Sequence, residues 1–125
     1  PRPAPPFEGP DSFLSIMSYL NTHYEQTVSL KRVSEELHLN ASYISQLIKN
    51  ETGLNYTQYI TELRIEKAKE LLTNTKLSLA EISEAVGFND YFYFIKKFKR
   101  EVGVTPGKFL QHEKGTGDMP DRERE

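Results

Sequence analysis

Between residues 11 and 112 the apolar positions recur at helical spacing, in segments separated by short polar or glycine-containing breaks. Phe13, Ile16, Met17, Leu20 and Tyr24 fall at i, i+3, i+4, i+7 and i+11, which predicts a helix buried along one face and capped by Asp11 or Ser12. A second helix follows Ser29, a suitable N-cap, with Leu30, Val33 and Leu37 inward. His38, Leu39 and Asn40 then make a tight turn. Tyr43, Ile44, Leu47 and Ile48 mark the buried side of a third helix, which Gly53 is suited to end. The stretch from Asn55 to Thr73 behaves differently. Tyr56, Tyr59, Ile60 and Leu63 cluster on one side of it and Ile65, Ala68, Leu71 and Leu72 on another, roughly 140° apart at about 100° per residue. A helix of this length, ~28 Å, must bury each half against a different body, so it is expected to be a strut between two lobes. Asn55 and Gln58 have the capping-box spacing at its start.

The chain contains the same helical unit twice. A shift of 49 residues pairs Ser29 with Ser78, Leu30 with Leu79, Val33 with Ile82, Ser34 with Ser83, Glu35 with Glu84 and Asn40 with Asn89. One inserted residue then moves the match to 50, pairing Tyr43 with Tyr93, Ile44 with Phe94, Ile48 with Phe98, Lys49 with Lys99, Gly53 with Gly103 and Tyr59 with Phe109. In the second copy Ser78 and Glu81 have the capping-box pattern, Gly87 supplies the turn, Asn89 caps, and the following helix runs to about Arg100. Ser34 and Ser83 are small where the paired helices must cross closely. Two short helices on a tight turn, present twice, are the pattern of a helix-turn-helix. Pro106 suits the first turn of a last short helix carrying Phe109 and Leu110.

Periodicity alone is ambiguous for the helix after Gly87, because Tyr91, Phe94, Ile95 and Phe98 also form a stripe. The repeat decides between the two faces. It assigns Tyr93, Phe94 and Phe98 inward with Tyr43, Ile44 and Ile48, and leaves Phe92, Ile95 and Lys96 outward with Ser42, Ser45 and Gln46.

At 125 residues, 37% hydrophobic and 27% charged, the chain can bury two mini-cores but little more. It has no cysteine, its three histidines stand in no metal-ligand spacing, and no apolar run approaches a membrane span. A net charge of −2 argues against a nucleic-acid partner until the charges are located. Between Ser29 and Leu110 there are 12 Lys and Arg against 10 Asp and Glu, so the acidity belongs to the flanks. Residues 1–10 hold five prolines and read as a linker; residues 113–125 have almost nothing apolar and read as a disordered tail. Glu35 with Glu36 and Glu62 with Glu66 could be taken for paired catalytic carboxylates, yet nothing positions a base or nucleophile beside them. With no phosphate-cradling glycine loop either, neither an enzyme nor a cofactor or metal is expected.

The ordered set Gly87-Phe88, Tyr93-Phe94, Phe98-Lys99 and Gly103-Val104-Thr105-Pro106 with Phe109 resembles the DNA-binding domain of the AraC/XylS family of bacterial transcription regulators. Upstream, Leu39-Asn40, Tyr43-Ile44, Gly53 and the helix of Arg64-Ile65, Ala68 and Leu71-Leu72 fit as well, so the resemblance covers about Phe13 to Leu110. It departs at Lys97, where the family is often apolar and the first copy has Leu47. The resemblance implies an all-α, homeodomain-like domain of seven helices over residues 11–112, with lobes at about 11–54 and 74–112 on a connecting helix at 55–73. It also implies a cytoplasmic protein whose partner is double-stranded DNA.

On that reading Ser42, Ser45 and Gln46 of the first lobe and Phe92, Ile95 and Lys96 of the second are the base-contacting residues. Gln46 suits adenine, Phe92 and Ile95 suit thymine methyl groups, and Lys96 suits guanine. Lys31, Arg32, Lys49, Lys99 and Arg100 are the phosphate contacts. The two sets differ, so one chain is expected to read an asymmetric site. A separate sensing or dimerisation domain is expected in the full-length protein, no membrane contact is expected, and the isolated domain is expected to be monomeric. The competing reading is a module that docks RNA polymerase or another regulator with weak DNA contact, favoured by the acidic overall charge and by Phe92 and Ile95 facing outward.

Overall fold

Capping chemistry sets most of the helix boundaries. The structure, a computed structural model describing residues 10–114, holds seven α-helices and no strand among those residues, as the sequence predicts. They are α1 (Pro10–His23), α2 (Leu30–Leu37), α3 (Ala41–Thr52), α4 (Tyr56–Asn74), α5 (Leu79–Ala85), α6 (Tyr91–Val102) and α7 (Pro106–Lys114). Ser29 Oγ accepts the Arg32 amide at 3.0 Å to start α2, and Asn40 Oδ1 accepts the Tyr43 amide at 3.0 Å to start α3. Two reciprocal capping boxes form as expected. Asn55 and Gln58 exchange bonds of 2.9 and 2.8 Å at α4, and Ser78 and Glu81 exchange bonds of 2.8 and 3.1 Å at α5. Each cap stabilises its helix by about 1 kcal/mol. α3 and α6 both end on glycine, Gly53 at φ 81° and Gly103 at φ 99°, a left-handed region costly for any residue with a Cβ.

Three boundaries differ from expectation. α1 begins at Pro10, so Asp11 and Ser12 lie in its first turn rather than capping it, and Ser12 is fully buried. α6 is capped by Asp90, not Asn89: Asp90 Oδ1 accepts the Phe92 amide at 2.9 Å and the Tyr93 amide at 3.2 Å. α7 runs through Glu113 to Lys114, positions assigned to the tail. The rest of the proline-rich stretch and of the tail lies outside the described residues.

The chain divides into two compact units, and the boundary falls inside α4 between Ile60 and Thr61. In the first unit α1 packs on α2 and α3, and Ile16, Leu20, Val28, Val33, Leu39, Ile44, Ile48 and Ile60 are buried. Tyr56 Oη donates to the Val28 carbonyl at 2.7 Å, tying the first turn of α4 to the segment that leads into α2. In the second unit Leu63, Ile65, Ala68 and Leu72 of α4 are buried together with Leu79, Ile82, Val86 and Leu110. An aromatic chain runs through this second core: Phe88 to Phe94 at 5.3 Å between ring centroids, Phe94 to Phe98 at 5.9 Å and Phe98 to Phe109 at 5.7 Å, all tilted or edge-on. Tilted and edge-on pairs at this distance add about 0.5–1.5 kcal/mol each beyond burial. Where the first unit has Leu39, Ile44 and Ile48, the second has Phe88, Phe94 and Phe98, so one helical frame holds two different fillings.

Candidate nucleic-acid interface

The two turns place the two outward helices. In the first, His38 adopts the left-handed conformation at φ 58°, the Leu39 amide donates to the Ser34 carbonyl at 3.1 Å, and the Ser34 hydroxyl donates to the Leu39 carbonyl. In the second, Gly87 sits at φ 102° and the Phe88 amide donates to the Ser83 carbonyl at 3.0 Å. Leu39 and Phe88 are both buried, so the copies correspond at a shift of 49 up to these residues. From the caps onward, Asn40 and Asp90, they correspond at 50. The inserted residue is therefore Asn89 itself, which is exposed. Its identity with Asn40 drew the pairing to the wrong side of the insertion. A capping side chain lies two or three residues before the amides it receives, and with Tyr93 placed as Tyr43 that residue is Asp90.

α3 turns Ile44 and Ile48 fully inward, and Ser42, Gln46 and Lys49 are exposed on the other face with Ser45 half-buried at its flank. α6 repeats this register. Phe94 and Phe98 are fully buried, Lys96, Lys99 and Arg100 are exposed, and Ile95 is half-buried in the place of Ser45. Phe92 is 79% exposed, with the edge-on ring of Tyr91 5.4 Å away. Leaving that much aromatic surface in water forgoes about 25 cal/mol for each Å2 that could have been buried. On α2, Lys31 and Arg32 are both exposed. Lys31 faces Glu35 at 3.7 Å, an exposed pair contributing little to stability.

Tyr93 is not buried as the repeat predicts; it is 46% exposed. Tyr43 is itself only half-buried, and Phe88, bulkier than Leu39, meets Phe94 at a tilt in the interior, with the Tyr93 ring at the rim 6.1 Å from Phe88. Lys97 explains how the rim is closed. It is half-buried like Leu47, and its Nζ stands 5.5 Å from the centroid of the Tyr93 ring. The stem covers apolar surface while the ammonium is held over the ring face, so the departure at Lys97 does not leave a hole.

Sequence reasoning missed Asn50. Gln46 Nε2 donates to Asn50 Oδ1 at 2.9 Å, and both side chains are exposed. The signal was present: Ser42, Gln46 and Asn50 are successive i, i+4 neighbours on one outward ridge, and the repeat pairs Asn50 with Arg100. Elsewhere, Glu62 faces Glu66 and Glu101. Partial burial first, then repulsion from Glu101 and Glu66 and a hydrogen bond with Glu101, raise its pKa above the ordinary value of 4.5. Among the described residues there is no group of His, Cys, Asp and Glu able to hold a metal, and no helix long and apolar enough to cross a membrane.

A family model described as a helix-turn-helix domain matches residues 33–112. The Msm operon regulatory protein of Streptococcus mutans is 34% identical over 94 residues, which cover 75% of this chain but only 34% of that protein. Among solved structures, the C-terminal domain of the two-component response regulator yesN from Fusobacterium nucleatum is 36% identical at a TM-score of 0.72, covering 80% of this chain and 98% of that one. A transcriptional regulator of the AraC-type DNA-binding-domain-containing proteins from Chromobacterium violaceum, at 22% identity, shares the fold with a TM-score of 0.75, covering 79% and 88%.

Proposed function

Because the chain belongs to the AraC/XylS family of helix-turn-helix DNA-binding domains, we propose that it binds double-stranded DNA sequence-selectively as part of a bacterial, cytoplasmic transcription regulator. Its family is one of transcription regulators and the chain is not an enzyme. α3 and α6 are the two recognition helices, entering successive major-groove segments of an asymmetric site. One observation carries this reading: two helices in the same register, each with a fully buried i, i+4 pair, expose chemically different residues at matching positions. The α3 ridge offers amide and hydroxyl groups, and the α6 ridge offers an aromatic ring, a branched aliphatic group and a cation.

The major groove displays a distinct donor, acceptor and methyl pattern for each base pair. Gln46 suits the adenine edge, with Ser42 and Ser45 donating or accepting beside it. Phe92 and Ile95 press on thymine methyl groups, which would remove from water the aromatic surface that the free domain leaves exposed. Lys96 reaches guanine O6 and N7. Arg32, Lys49, Lys99, Arg100 and, once released from Glu35, Lys31 meet phosphates and set the register. With about five such cations, the slope of log K against log salt is about −4 to −5. The rest of such a regulator supplies sensing or dimerisation, since the chain spans about a third of the length of the S. mutans relative.

Selection of bound duplexes from a randomised library by the purified chain, at near-physiological salt with competitor DNA, tests the proposal. Enrichment of a non-palindromic site with two short cores supports it. No enrichment by a folded sample would refute it and make the exposed Phe92 a docking surface for RNA polymerase or a second regulator.

A further inference from the structure

Exposed glutamine amides rotate freely, and a rotated amide exchanges its donor with its acceptor. In a groove this matters, because adenine presents N7 as an acceptor and N6–H2 as a donor, and only one amide orientation satisfies both. The bond from Gln46 Nε2 to Asn50 Oδ1 biases that choice toward one orientation. Nε2 has two hydrogens and Oε1 two lone pairs, so giving one hydrogen to Asn50 leaves one N–H and the carbonyl oxygen, the pair that an adenine edge requires. Asn50 stands one helical turn beyond Gln46, toward the C-terminal end of α3, whereas base contacts concentrate near the N-terminal half of a recognition helix.

We propose that Asn50 is a specificity-positioning residue of the first unit: it holds the Gln46 amide in the orientation that accepts adenine, without touching a base itself. The inference rests on the DNA-binding reading of α3 and deepens it. The second unit has no such brace. Its counterparts of Gln46 and Asn50 are Lys96 and Arg100, two cations that do not hydrogen-bond to each other as donor and acceptor. A favoured amide orientation is thus a property of the first reader alone, and the second discriminates by charge and shape.

The test compares three variants of the chain, Gln46→Ala, Asn50→Leu and Asn50→Asp, each checked for an unchanged helical spectrum. The probes are the duplex enriched by library selection and the same duplex with the Gln46-dependent A·T pair changed to G·C. A bidentate amide discriminates by roughly five- to 150-fold. The parent chain is expected to show a preference in this range, and Gln46→Ala to abolish it. Asn50→Leu, which keeps the size but has no acceptor, is expected to lower the preference by about twofold, the strength of an exposed i, i+4 amide pair, while binding to the changed duplex stays the same. Asn50→Asp keeps an acceptor oxygen and is expected to retain the preference, with affinity for both duplexes lowered by the added negative charge. Full preference in Asn50→Leu alongside loss in Gln46→Ala overturns the role of Asn50 and leaves the DNA-binding reading intact. Loss in Asn50→Asp equal to that in Asn50→Leu overturns it too, since Asn50 would then be acting as a donor. A parent chain without preference at any pair overturns the inference together with the reading of α3 it rests on.

Discussion

Asp90 caps α6 with a charge, whereas Asn40 caps α3 without one, and the difference separates helix stability from DNA affinity. Asp90 Oδ1 holds two amides, at 2.9 and 3.2 Å. Replacing it by Ala removes both bonds and is expected to cost about 1 kcal/mol for the cap, plus about 0.3–1 kcal/mol for the charge at the positive end of the helix dipole. Asn keeps an oxygen in the same place and removes only the charge, so Asp90→Asn is expected to cost no more than about 0.5 kcal/mol. Urea unfolding followed by helical circular dichroism resolves these two losses. Asn89→Ala is the control, because Asn89 is exposed and caps nothing; it is expected within about 0.5 kcal/mol of the parent. On DNA the order reverses. If α6 lies in the groove, the carboxylate stands near phosphates, and a charge pair about 7 Å apart in water repels by about 0.6 kcal/mol. Asp90→Asn should therefore bind the selected duplex about threefold tighter at low salt, with the gain shrinking as salt rises. If Asp90→Ala proves no more destabilising than Asn89→Ala, the cap assignment is wrong. If Asp90→Asn binds DNA no better than the parent, α6 does not approach phosphates by its N-terminus.

His38 carries a side chain at φ 58°, where the second copy uses Gly87; His38→Gly should stabilise the first unit by about 0.5–1 kcal/mol in the same urea assay. Lys96→Ala should lower the preference for guanine in a repeated library selection while leaving the core read by α3 unchanged; an unaltered consensus would remove Lys96 from the set of base contacts. The raised pKa of Glu62 means that the folded state favours the protonated carboxyl. Its stabilising contribution is present below 4.5 and is lost as pH rises through the folded value. Glu62→Gln should accordingly raise the melting temperature near pH 7, with the advantage narrowing as pH falls through the raised folded value and gone below 4.5. A melting temperature for this variant equal to the parent's across that range would show that Glu62, Glu66 and Glu101 do not repel.

What the sequence determined by itself is what depends on near neighbours along the chain. The capping boxes Asn55–Gln58 and Ser78–Glu81, the glycines ending α3 and α6, and the buried pairs Ile44–Ile48 and Phe94–Phe98 all involve residues within one or two helical turns. Spacing suffices to find such features. The bond from Gln46 to Asn50 was legible in the same way, as an i, i+4 polar pair on an exposed ridge. The repeat then carried the face assignment from one helix to the other, correctly for Phe92, Phe94 and Phe98. It failed where the two fillings differ. Phe88 stands beside Phe94 in place of Leu39, and Tyr93 lies at the rim under Lys97. The position of the insertion could not be read from identities, because Asn89 matches Asn40 by name while Asp90 matches it by hydrogen bond. Glu62 meets Glu101, 39 positions away in the chain, only because the part of α4 from Thr61 on and α6 lie in the same unit. Periodicity reports which face of a helix is apolar; which neighbour fills the space beyond that face is set by packing volume, and only the tertiary structure decides it.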